Sequence, residues 1–323
     1  HWAAPADFPT VKGIGYDFVV TTVDAGNPTA WRQSLDAAQA AGIRLIIGAW
    51  PVPYAFANGQ WTVTAQGRTF LEYLASRSDL VMAVFVLNEP YWTSPFGDQT
   101  STSGMFSADE LRTLRTAIRG VWPAAKIYHD IGVPSAWAPG GVLARSYPGI
   151  GDRYADQTGI ADYVGIWNYP FGTHGYRRAE ALAEMAHEVE FVHTGMSAKA
   201  VILGQSNSAA AVVDGNGGLA WPTPAQLLDW NCAIRSLPVD AISWYVWKQD
   251  LYDDVLANHP EDWPLTTDAA FRATLPAPTT ELPTAAALPD SGSSSHRCGV
   301  GGALAVLIGF ATRFFLVRRL RER

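Results

Sequence analysis

Apolar runs of strand length recur along the chain at residues 18–23, 43–50, 80–87, 126–130, 163–168, 200–204 and 241–247. Amphipathic stretches of helical period lie between most of them, at 31–41, 66–76, 107–121, 178–192 and 223–236, with a helical turn expected near 140–146. The run at 80–87 is the most informative. Seven of its eight residues are strongly apolar, Ala83 is the small one, and Val81, Val84 and Val86 are β-branched. Such a run reads as a strand buried on both faces, which is the habit of parallel sheets. Two helix starts carry capping signals, Ser107 with Glu110 and Thr223 with Gln226. Strand alternating with helix implies βα units and a parallel sheet.

The fold class expected is therefore α/β, a (β/α)8 TIM barrel. Seven strand runs are visible, and the segment 5–15 reads as the remains of a first crossover, so the strand to be expected in front of it is absent from this chain. A chain that starts at His1 rather than Met reads as a processed product or a fragment, and any secretory signal would have gone with the lost beginning. The barrel domain is expected over 1–272. The stretch 273–298 is rich in Pro, Ala, Thr and Ser, buries too little to fold, and reads as a disordered linker. Residues 299–317 are apolar apart from Arg313, and 318–323 are strongly basic. That pattern suits a transmembrane helix over 299–323 with its basic end in the cytoplasm and the barrel outside.

Composition narrows the classes. Apolar residues make up 48% of the chain and tryptophan occurs 13 times, enough for a large core. A net charge of −7 without a basic stripe in the first 290 residues argues against nucleic acid as a partner. The two cysteines, Cys232 and Cys298, imply no disulfide framework. His174 and His187 lack partners at metal-ligand spacing, so neither metal nor cofactor is expected. The run from Asp214 to Gly218 is only faintly like a calcium loop and reads as a flexible turn.

In a (β/α)8 barrel the chemistry sits at the C-terminal ends of the strands. Those ends present Trp50, Asn88-Glu89, His129-Asp130, Asn168-Tyr169, Gln205 and Trp247 to Asp250. With Asn88-Glu89-Pro90 after the fourth expected strand, and Tyr169 and Trp247 at later strand ends, the chain resembles the clan of (β/α)8 glycoside hydrolases that includes cellulases and mannanases, over roughly residues 5–270. The resemblance implies that Glu89 is the general acid/base, that Asn88 holds a sugar hydroxyl, and that Tyr169 orients a carboxylate across the barrel. A glycosidic oxygen leaves poorly unless it is protonated as the bond breaks, so the acid needs a raised pKa, which walls of Trp50, Trp92 and Trp247 could supply by desolvation. Those rings also suit the apolar faces of sugars. His129 and Asn168 are further candidates for binding the carbohydrate.

One position departs from the clan. Where its nucleophilic glutamate stands at the seventh strand end, this chain has Gln205, whose neutral amide is a very weak nucleophile. Three routes stay open: an inverting reaction with Asp130 or Asp250 as base, a substrate N-acetyl group as nucleophile oriented by Asn88 or Gln205, or sugar binding without cleavage. The tail, with Leu288-Pro-Asp-Ser-Gly292 before the apolar span, resembles a sortase cell-wall sorting signal with Ser291 in place of threonine. The expectation is a monomeric barrel displayed at the cell surface, anchored in the cell wall or plasma membrane, that cleaves polysaccharide or glycoconjugate. The competing expectation is a catalytically degenerate carbohydrate-binding barrel.

Overall fold

The computed structural model describes residues 3–88, 90, 106–142, 145, 155–214, 217–245, 247 and 253–275. Its centre is a sheet of seven parallel strands that neighbour one another in chain order. They are β1 (Phe18–Asp24), β2 (Arg44–Trp50), β5 (Val81–Asn88), β6 (Ile127–Gly132), β7 (Tyr163–Trp167), β10 (Lys199–Gln205) and β13 (Ala241–Tyr245). Crossover helices pack against it: α2 (Pro28–Ala41), α3 (Ala65–Ser76), α4 (Ala108–Val121), α5 (Arg178–Thr194) and α6 (Pro224–Arg235), with α1 (Phe8–Ile14) ahead of β1 and α7 (Asp268–Thr274) at the end. The sheet curls, so one face turns inward upon itself and the other meets the helices. Two apolar clusters record this: an inner one of Val20, Ile46, Ala83, Phe85, Tyr128, Val201 and Leu203, and a larger outer one shared with the helices.

Strands β1 and β13 stand at the two ends of the sheet, and among the described residues neither pairs with the other. An opening between them is lined by Phe18 and Val19 on one side and Ile242, Ser243 and Trp244 on the other, with Ala3, Val11 and Tyr16 close by. The seven strand runs read in the sequence are thus all present. Two features were not read there. A hairpin of β3 (Tyr54–Ala57) and β4 (Gln60–Val63) follows β2. A second, five-stranded sheet joins β8 (Phe171–Gly172), β9 (Gly175–Tyr176), β11 (Asn207–Asp214), β12 (Gly217–Leu219) and β14 (Asp254–Val255) over one end of the barrel. In it Asp214 pairs with Gly217, so the two ends of the run read as flexible are joined by strand pairing, while 215 and 216 lie outside the described residues.

Local chemistry explains the helix ends. Both capping boxes form: Ser107 Oγ accepts from Glu110 N at 3.2 Å while Glu110 accepts from Ser107 N at 2.6 Å, and Thr223 and Gln226 repeat the exchange. At the N-terminal ends of the strands, carboxylates tie neighbours together. Asp162, ahead of β7, accepts from the amide of Ile127 (2.9 Å), from Arg115 (2.8 Å) and from Arg119 (3.0 Å). Asp240, ahead of β13, accepts from the amide of Ala200 at 3.0 Å and meets His193 at 2.8 Å. Among the described residues no helix is long and apolar enough to cross a membrane. Helix α7 runs to Thr274, into the first residues of the expected linker. The rest of that linker beyond 275, the sorting-signal sequence and the basic apolar tail lie outside the described residues, as do 143, 144 and 146 of the turn expected at 140–146.

Removing the Asp162 carboxylate leaves two half-buried guanidinium groups and a strand amide without their acceptor. Asp162→Ala is expected to destabilise the fold by about 3 kcal/mol in urea unfolding; a loss below about 1 kcal/mol would class the cluster with ordinary surface ion pairs.

Candidate active site

Strand parity sets what reaches the mouth of the curled sheet. On β1 the inner face carries Phe18, Val20 and, two and four positions on, Thr22 and Asp24; on β2 it carries Ile46, Gly48 and Trp50. Asp24 and Trp50 are in register at the C-terminal ends, and both are exposed, Trp50 by 52%. On β5 and β6 the register pairs Phe85 with Tyr128 and, past a bulge, Asn88 with Asp130. The rings of Phe85 and Tyr128 meet edge to face at 5.3 Å and plug the barrel beneath the mouth.

Asp130 sits on top of that plug. The Tyr128 hydroxyl donates to its Oδ1 in a short contact, and the pair lies against Gly165 of β7. A Cβ at position 165 would fall 2.1 Å from Asp130 Oδ1 and 2.3 Å from the Tyr128 oxygen, so only glycine leaves room for this hydrogen bond. Burial, then the Asp130 charge, push the Tyr128 hydroxyl well above its ordinary pKa, so it stays a proton donor to the carboxylate. Asp130 is only 2% exposed. Asn88 beside it is half-buried. One strand further, Trp167 lies across Gly132, whose Cβ would meet the indole at 2.9 Å.

Several residues expected at the mouth are elsewhere. His129 alternates with Tyr128 and Asp130 and so faces outward, fully buried under the helices. Neither ring nitrogen makes a hydrogen bond of good geometry. Burial drives its pKa down to about 4, with the backbone of Leu87, the Asp130 charge and the backbone of Ile160 pulling weakly the other way. It binds no substrate from there. Asn168 also turns outward, donating to Glu184 of α5 at 2.5 Å. Trp247 is 5% exposed, packs on Trp263 at 5.1 Å and borders the opening between β1 and β13. Tyr169 stays at the rim, 6.4 Å from the ring of Tyr245. Glu89, Trp92 and Asp250 lie outside the described residues.

Gln205 has a different task from the one expected. Its Oε1 accepts from Phe171 N at 2.8 Å, and its Nε2 donates to Phe171 O at 2.8 Å and to Asn207 O at 3.3 Å. The side chain behaves like a stretch of backbone and fastens β8 to the end of β10. Fully buried, with donor and acceptor both engaged, it can neither attack a sugar nor orient an acetamido group.

Loops around the mouth are held from α5. Glu188 accepts from Ser135 N at 3.0 Å and from the Ser135 hydroxyl, fixing the turn after β6. Burial raises the pKa of Glu188 and of Glu184. The residues that sequence reasoning passed over are Asp24, Trp167 and Tyr245; counting alternate positions up from Val20 and Val201's neighbours on the inner face would have found them. His259, Glu261 and Asp262 come within 4.8 Å of one another. Their atoms are already engaged, His259 Nε2 with Asp254 (2.5 Å) and Asp262 Oδ2 with the Trp221 indole (3.1 Å).

No family model matches the sequence, and no curated protein sequence matches it significantly. Among solved structures the chain is similar to a β-galactosidase from the psychrophilic Marinomonas ef1, with TM-score 0.52 and 12% identity over 85% of this chain and 58% of that one. The likeness is one of fold. It establishes an α/β architecture with a curled parallel sheet resembling a TIM barrel, and this chain spans little more than half of the galactosidase. An endo-β-1,3-glucanase from Amycolatopsis mediterranei, solved with laminarihexaose, matches at TM-score 0.44 and 14% identity, over 84% of this chain and 96% of that one. An endo-β-1,4-mannanase from Thermotoga petrophila matches at 0.44 and 11%, over 79% and 69%.

The buried neutral His129 makes acid stability testable. Its folded pKa near 4 lies below the unfolded value of 6.5, so the unfolded chain binds the extra proton between those values and stability is lost as pH falls across that window. The loss reaches about 3 kcal/mol by pH 4. Urea unfolding from pH 7 to 4 should show this slope, and His129→Phe should flatten it by about that amount; an unchanged slope would refute the assignment.

Proposed function

We propose that this barrel hydrolyses O-glycosidic bonds of a polysaccharide or glycoconjugate, with Glu89 as general acid. The observation that carries the reading is the meeting of Asn88 and Asp130 in register at the inner C-terminal rim, one residue before Glu89, with the exposed indole of Trp50 on the same rim. A protonated Glu89 would give its proton to the glycosidic oxygen as the bond to the anomeric carbon breaks. Asn88 would hold a sugar hydroxyl. Because the Gln205 amide is tied to Phe171, an acetamido group oriented by that residue is set aside, and no nucleophile stands at that position. We take Asp130 as the base: it would draw a proton from a water molecule that attacks the anomeric carbon from the opposite face, inverting its configuration. Tyr128 would keep that carboxylate aimed.

Binding without turnover is the second reading, and one observation favours it: Gln205 has a structural role at the position where cleavage by double displacement would need a carboxylate. The positions of β1 and β13 at the two ends of the sheet, unpaired with each other among the described residues, support an eighth strand between them to complete the ring, ahead of α1. The composition of 273–323 supports display of the barrel at the cell surface, through a membrane span or after sortase cleavage between Ser291 and Gly292.

With an accepted oligosaccharide, Glu89→Gln and Asp130→Asn should each lower kcat by roughly 10²- to 10⁴-fold while circular dichroism and unfolding midpoint stay near wild type. Proton NMR of the first product should show the inverted anomer. Full activity in either variant, or a retained anomer, would overturn the mechanism; tight binding by calorimetry with no product from any glycan would leave the binding reading.

A further inference from the structure

Asp24 takes no part in the hydrolytic scheme, yet it stands beside Trp50 of that rim. They end adjacent parallel strands in register, on the inner face, and each is exposed. Trp50 stands out because a large indole left 52% exposed forfeits burial that most of the other described tryptophans obtain, among them Trp31, Trp61, Trp230 and Trp244. The backbone beneath the pair is tied down. Ala25 N donates to Trp50 O at 2.9 Å, joining the two strand ends, and the Trp31 indole donates to Asp24 O at 2.8 Å. The carboxylate is aimed as well, since Gly26 N donates to Asp24 Oδ1 at 2.7 Å. Elsewhere on the described surface, exposed aspartates such as Asp17 and Asp36 are answered by Lys12 and Arg77. No cation pairs with Asp24 among the described residues.

A fixed carboxylate with no cationic partner among the described residues, beside an exposed indole, suits one kind of ligand. The indole offers a flat apolar surface to the C–H face of a pyranose ring. The carboxylate accepts only, so the ring edge above it must donate. A hydroxyl of a neutral hexose or the ammonium of an amino sugar does so, the latter with charge assistance. A uronic acid brings a second carboxylate to the same place and is disfavoured by like-charge repulsion. Asp130, farther round the same rim, adds to that field.

We propose that Asp24 and Trp50 are a sugar subsite on the β1–β2 side of the mouth, which selects pyranosyl units with donor groups and rejects uronates. The proposal rests on the carbohydrate-active reading and adds its substrate class. It is tested with the full chain labelled with 5-fluorotryptophan, the Trp50 resonance being assigned by its loss in Trp50→Phe. Titrations use three probes: oligomers of a neutral hexose, of glucosamine and of galacturonic acid. The neutral and amino oligomers should shift the Trp50 resonance, and the galacturonate oligomer should bind at least about 10-fold more weakly. Asp24→Asn should weaken the glucosamine oligomer about 10-fold and the neutral one by a smaller factor, and should narrow the gap to the uronate. Trp50→Ala, which empties an exposed position and leaves the core intact, should weaken both accepted ligands.

Equal affinity for the uronate, or a Trp50 resonance that no bound oligosaccharide moves, would overturn the subsite. So would turnover with unchanged KM in both Asp24→Asn and Trp50→Ala, which would leave hydrolysis standing. Binding at Trp50 without any product supports the subsite and removes the hydrolytic reading alone. Failure of every probe to bind would overturn both.

Discussion

Each central strand of this protein must bury both of its faces, one against the inside of the curl and the other against helices. Polar side chains are costly anywhere along such a strand except at its ends. The pattern of β2, buried from Leu45 through Ala49 and exposed only at Arg44 and Trp50, follows directly. So does the location of the candidate site, since the strand ends are where a carboxylate or carboxamide can stand without a large desolvation penalty. Polar groups that do lie deeper come with partners or with altered protonation. Asp130 has the Tyr128 hydroxyl, Gln205 has the backbone of Phe171, and His129 gives up its proton.

The two ends of the sheet use this freedom differently. At the N-terminal ends, Asp162 and Asp240 each accept from the amide of a neighbouring strand, Asp162 also pairing with two arginines and Asp240 meeting His193, so the carboxylates there hold strands together. At the C-terminal ends, Asp130 accepts from the Tyr128 hydroxyl and Asp24 from the amide of Gly26, and aromatic rings stand between them. The N-terminal end is tied up internally, whereas the C-terminal end leaves the Asp24 carboxylate and the Trp50 indole exposed to solvent. The inner glycines belong to the same design: Gly165 and Gly132 leave the space that the Tyr128–Asp130 hydrogen bond and the Trp167 ring occupy.

Much of the architecture was legible in the chain. The seven parallel strands coincide with the apolar runs, and the helix starts at Ser107 and Thr223 were marked by their capping partners three residues on. Other elements left no local trace. The hairpin 54–63 joins two four-residue strands, and β11 and β12, built largely of small residues, pair with β14 and β8 through contacts distant in sequence. For the site, reading strand ends in order found Trp50, Asn88 and Asp130 at the mouth but also drew in His129 and Asn168, because the direction of a side chain flips with every residue. Parity alone recovers Asp24, which a search for catalytic motifs passes over.

By itself, then, the order of residues determined the element types, their parallel winding and the clustering of chemistry after apolar runs, because burial and periodicity are local properties of a segment. Only the tertiary structure decided that Gln205 splices two strands together, that Trp247 is buried against Trp263 and that Asp24 stands beside Trp50. Those outcomes depend on which strand lies next to which and in what register. That is set by the closing of hydrogen-bond ladders between segments far apart in the chain, and no single segment encodes it.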